Sequence, residues 1–166
     1  KKSKPLTHQN RRKVQVAEGA FVEVPTEAYK GLNNEAGKQR LRAQHMLFER
    51  MLSYVKPALE AACEWGGRNG KATNIVTAYC PKKCNWLGYW CPISKQIVIN
   101  IGVGLGRNGE PDPKAPVNPV DLGETFCHEL AHHNTYGKEY DPHGAKHNAE
   151  TNRLRSIVEK YHQMMG

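Results

Sequence analysis

The stretch His128-Glu129-Leu130-Ala131-His132 constrains this chain more than any other. Residues four apart on a helix lie on one face, one turn apart. A helix here would aim two imidazoles at one point, with a carboxylate beside them. Two nitrogen ligands and a neighbouring general base are what a hydrolytic zinc site asks of a single helix. Glu129 is the candidate base, placed to take a proton from a water on the ion.

The flanking residues give that helix two faces. Asp121-Leu122-Gly123-Glu124 reads as an N-cap with a carboxylate three residues on, a helix start. Leu122, Phe126 and Leu130 recur at every fourth position, roughly opposite the histidines, and form a candidate core stripe. Gly137 offers a C-terminal stop. Cys127 is expected as a small core residue. His133 falls off the ligand face and is expected to pack or to sit at the surface.

A zinc site that keeps one position for water needs a third protein ligand. Beyond the loop from Gly137 to Pro142, three residues qualify: His143, His147 and Glu150. His143 is the first choice, since it precedes a helical segment running from about Ala145 to Gln163. His147 lies one turn further and Glu150 another three residues on. At most one of the three is expected to bind the metal.

The HExxH stretch, taken with Pro142-His143-Gly144-Ala145-Lys146-His147, resembles the SprT-like (SprT/Spartan) zinc metalloprotease domain. The resemblance covers roughly half of the chain. The loop between His132 and His143 is short, and the Lys-rich start and cysteine-bearing middle have no counterpart in the match. The resemblance implies that His143 completes the zinc site with His128 and His132. It implies an α+β, zincin-like fold: a small antiparallel or mixed sheet packed against an amphipathic helix, the HExxH helix and a C-terminal helix. It also implies zinc-dependent cleavage of peptide bonds, with DNA-associated proteins as candidate substrates.

A chain of 166 residues suits one domain with a real core. Residues 1 to 13 carry six Lys or Arg and no acid, and read as a basic, mobile arm. Residues 14 to 166 then form a single domain. No apolar run is long enough to span a bilayer, so no membrane partner is expected. The net charge of +8 makes DNA a candidate partner through a basic surface, although a merely solvated basic surface has the same charge. The charged start lacks the apolar core of a signal peptide. Five irregularly spaced cysteines fit reduced thiols in an intracellular setting, cytoplasmic or nucleoid/nuclear, better than a secreted disulfide framework.

The rest of the chain reads as scaffold. Val14, Val16, Phe21, Val22 and Val24 suggest short strands. From about Asn34 to Trp65 the pattern is helical, with Leu47, Met51, Val55 and Leu59 as the buried stripe and Pro57 as a kink or break. Asn74 to Tyr79 reads as a strand. Cys80, Cys84 and Cys91 could form a small zinc or redox cluster, but a tight aromatic hairpin accounts for them more simply. Trp86, Tyr89 and Trp90 could stack on bases or cover the sheet. Gln96 to Ile101 is the clearest strand. By resemblance, it or its neighbour pairs with an extended substrate. Residues 102 to 119 form a loop that could line the cleft. Leu154, Ile157, Val158 and Tyr161 place the last helix beneath the metal helix.

These expectations converge on a zinc endopeptidase, with Tyr136 or Tyr140 as candidate donors to the oxyanion. A different class of answer is a nucleic-acid-binding or virion-type structural protein with a structural metal site. There, His147 or a cysteine would close the fourth position. A hydrolase acting on a non-peptide bond is a third.

Overall fold

A computed structural model describes residues 11–32, 34–67, 73–82 and 85–166. Two strands open the described chain, β1 (Arg11–Ala17) and β2 (Ala20–Pro25), joined antiparallel through a turn at Gly19. Gly19 takes a φ of +72°, which suits glycine. Arg11, Arg12 and Lys13 are therefore strand rather than arm, and the Arg11 guanidinium lies 2.7 Å from the Glu23 carboxylate. The first ten residues of the expected mobile arm lie outside the described residues.

A short helix, α1 (Thr26–Tyr29), leads to the long α2 (Glu35–Ala61). Asn34 caps α2 by accepting from the Gly37 N–H at 2.8 Å. The buried face is Leu41, Phe48, Met51, Val55 and Leu59. Leu47, expected in that stripe, lies one position beside it and is only partly buried. The helix also runs through Pro57 without a break. Buried Val55, Ala58 and Leu59 hold the chain to the core on both sides of that residue, so packing outweighs the missing N–H.

After α2 come β3 (Asn74–Ala78), β4 (Gly88–Cys91) and β5 (Gln96–Asn100). They complete a five-stranded mixed sheet in the order β1-β2-β3-β5-β4. The β2–β3 and β3–β5 pairs are parallel; β4 and β5 are antiparallel. The strongest strand of the sequence, β5, is thus enclosed between two neighbours, and β4 is the edge. Ile97 and Ile99 join the main core, while Val98 faces the other side and meets Ala78 and Trp86. That alternation is the two-residue period of a strand covered on both faces. A small two-stranded ladder, β6 (Gly104–Leu105) with β7 (Pro111–Asp112), organises the expected loop.

Two helices close the α+β fold: α3 (Pro119–Thr135) and α4 (Ala145–Met165). Leu122, Phe126 and Leu130 of α3 are buried as expected, against Leu154 and Val158 of α4 and the inner face of α2. The start of α3 differs from the expectation. Asn118, not Asp121, is its N-cap, accepting from the Val120 N–H at 2.7 Å, and Pro119 follows inside the first turn. Asn-Pro supplies both the capping acceptor and the preset φ, which moves the start three residues upstream. At the other end, Gly137 takes a φ of +77° just past the last turn. No helix among the described residues is long and apolar enough to cross a membrane.

Candidate metal centre

The periodicity of α3 puts His128 and His132 on one face, their ring centroids 4.8 Å apart. A tight loop after Gly137 then brings His143 back to them. Asp141 shapes its end by accepting from the His143 N–H at 2.9 Å. Glu139 accepts from the N–H groups of Lys146 and His147, at 3.2 and 2.8 Å, and so caps the start of α4. Gly144 makes room for that cap. A Cβ there would lie 2.4 Å from the Glu139 carboxylate oxygen.

Among the described residues, one ligand atom from each of His128, His132 and His143 falls within 4.8 Å of the other two. The Nε2 atoms of His132 and His143 are 3.1 Å apart. Two nitrogens about 2.0–2.1 Å from one tetrahedral ion would stand roughly 3.3–3.4 Å from each other. The donor set is three imidazoles, and the His132–His143 spacing fits zinc to within a few tenths of an ångström.

The two other candidates for third ligand are engaged elsewhere. Nε2 of His147 lies 3.0 Å from the His128 carbonyl, and the ring is buried against α3. Glu150 accepts from the Asn134 side chain at 2.6 Å and from Arg153 at 2.7 Å. Arg153 also reaches Glu64, which is buried beyond the end of α2. Hydrogen bonds from Arg153 to both carboxylates raise its pKa further above its usual high value. The chain Asn134–Glu150–Arg153–Glu64 ties α3, α4 and the end of α2 together. It holds α4, which carries His147 and follows His143, against the HExxH helix.

Gly67 belongs to the same support. It has a φ of +80°, and a Cβ would sit 2.4 Å from the buried His133 ring and 3.0 Å from the Asn134 side chain. Gly67→Ala is expected to destabilise the fold by about 2–4 kcal/mol, summing left-handed strain and overpacking. Urea denaturation reads this directly; an unchanged midpoint would contradict the packing described.

Glu129 is buried, at 6% exposure, and with His128 it lines a cleft of about 420 Å³. Trp86, Leu87 and Gly88 form one wall, at the beginning of edge strand β4. Leu105 and Pro111 come from the β6–β7 ladder, so that segment lines the cleft as expected. The remaining wall is α3 and Arg155 of α4. Arg155 and the cleft role of Asp121 gave no local signal in the sequence, because their placement depends on how α4 crosses α3.

Some expected roles change, and others narrow to one of the expected alternatives. Tyr140 is fully exposed, and Tyr136 leans on Trp90 at 5.0 Å between centroids; neither lines the cleft. Trp86 is buried and packs edge-on against Tyr89, so these rings cover the sheet. His133 is fully buried beside Trp90, a packing residue. Cys80 is disulfide-bonded, which overturns the all-reduced reading of the cysteines. Cys84 lies outside the described residues, so the proposed Cys80, Cys84 and Cys91 cluster is not described as a unit.

The thiols differ in reactivity. Burial pushes the Cys127 thiol up to about 12, as suits a core residue. Burial also acts to raise Cys91, but hydrogen bonds from Ser94 and Ile93 and the charge of Lys95 hold it below the ordinary range. At neutral pH Cys91 is therefore richer in thiolate. Iodoacetamide should modify Cys91 readily and leave Cys127 untouched until the protein unfolds; peptide mapping checks the order. Comparison with protein-family models, curated proteins and solved structures returns no match to this chain.

Proposed function

We propose that this protein is a zinc-dependent endopeptidase with a zincin-like centre. The observation that carries the reading is the convergence of His128, His132 and His143, with His128 and the buried Glu129 next to it lining an open cleft. The resemblance to SprT-like proteases supports the same ligand set.

Zinc held by the three histidines would supply a water of lowered pKa and polarise the scissile carbonyl. Glu129 would take a proton from the attacking water and return one to the leaving amine nitrogen. Burial of Glu129 keeps competing solvent from its carboxylate. The outer edge of β4 begins at the cleft wall, where an extended substrate backbone can pair with it. This assigns pairing to the neighbour of β5 rather than to β5 itself. DNA-associated proteins as substrates, and DNA as a partner, rest on the resemblance and on the charge of +8.

One observation favours the structural-site alternative. Nδ1 of His147 is buried and takes no hydrogen bond among the described residues. A turn of that ring could close the fourth position. Against it stand the Nε2 contact to the His128 carbonyl and the presence of Glu129, which a structural site does not need.

The zinc-loaded protein should cut casein or an unstructured peptide. It should lose that activity to 1,10-phenanthroline and regain it with added zinc. Proteolysis that survives complete metal removal would contradict the proposal.

A further inference from the structure

The cleft beside Glu129 is chemically divided. Trp86, Leu87, Leu105 and Pro111 give it an apolar wall. Further toward the start of α3 it carries two carboxylates, Asp121 and Glu124, one turn apart on the face that also bears His128. Four residues of helix separate Glu124 from His128 and seven separate Asp121 from it, or about 6 and 10 Å along the axis.

The two acids are not equivalent. Arg155 approaches Glu124 at 3.5 Å, a long contact between half-exposed groups. The Asp121 carboxylate makes no hydrogen bond or ion pair among the described residues. The capping role that its sequence position suggested is filled by Asn118. A half-buried carboxylate is thus left facing a cavity in a chain whose net charge is +8.

We propose that this end of the cleft selects a basic substrate side chain, lysine or arginine, next to the bond that is cut. The inference rests on the endopeptidase reading and names the substrate class of that same site. A lysine or arginine stem lies along apolar surface while its charged head reaches a carboxylate. An aliphatic side chain would fill the same space but take water from Asp121 without replacing it. An acidic side chain would meet a like charge. Arg155 offsets Glu124, so Asp121 sets the net sign of the subsite.

The test separates binding from cleavage. In Glu129→Gln protein loaded with zinc, a peptide carrying lysine should bind about tenfold tighter than the same peptide with norleucine, which keeps the stem and lacks the charge. Asp121→Asn, made in the same background, should erase that difference while zinc content stays unchanged. In the otherwise native protein, digestion of a mixed peptide library should enrich lysine and arginine at one position beside the cut. Asp121→Lys should shift the enrichment toward aspartate and glutamate. Equal binding of the two peptides, or cleavage with no basic preference, overturns the inference and leaves the peptidase reading standing. A preference for acidic residues in the native protein would instead assign the subsite to Arg155. No cleavage of any peptide by zinc-loaded protein removes both.

Discussion

Glu129→Gln is expected to retain zinc while peptide hydrolysis falls about a hundred- to ten-thousandfold, the range that general acid–base catalysis contributes. The substitution keeps the shape of a side chain that is only 6% exposed, so the fold should persist. What it removes is the ability to accept a proton from the attacking water and return it to the leaving amine. Glu129 binds no metal in this account, so metal affinity should barely move. The paired readout matters. Loss of zinc together with activity would make Glu129 a ligand or a structural residue, and undiminished hydrolysis would remove it from the mechanism.

His143→Ala is expected to act in the opposite way, on the metal first. His132 and His143 converge at 3.1 Å between their Nε2 atoms, and removing one leaves two histidines on one helix to hold the ion. Loss of an outer partner of a zinc ligand costs roughly 10–100-fold in affinity, and loss of a direct ligand should cost more. His147→Ala and Glu150→Gln provide the contrast. Nε2 of His147 lies on the His128 carbonyl, so its removal should fall in the outer-partner range. Glu150 is held by Asn134 and Arg153, so Glu150→Gln should leave zinc bound and mainly lower stability. Competition with a chromophoric chelator ranks the three variants. Full zinc content in His143→Ala protein would move the ligand assignment elsewhere.

Much of the candidate metal centre is legible in the sequence because it is local. A four-residue spacing on a helix dictates that His128 and His132 share a face, and the Leu122, Phe126, Leu130 stripe dictates which face is buried. His143 stands first of three candidates in the sequence; what brings it beside His128 and His132 is the loop geometry set by Asp141 and Glu139, which the sequence does not signal. Where structure and sequence pattern part, the causes are physical. Asp121 and Asn118 are both good caps, and only the neighbouring Pro119 decides between them. Phe48 replaces Leu47 in the core because a one-residue step rotates a helix by about 100°. Strand order is non-local, so the strongest strand could not be recognised as interior or its weaker neighbour as the edge. The cleft itself is assembled from four separate segments, and no one of them signals it.

X-ray absorption at the zinc edge tests the central claim most directly. One zinc per chain is expected, in a four-coordinate shell. Three imidazole nitrogens should lie at about 2.0–2.1 Å, and one oxygen should exchange with solvent. Four imidazoles, or a sulfur shell near about 2.3 Å, would describe a closed structural site and contradict it.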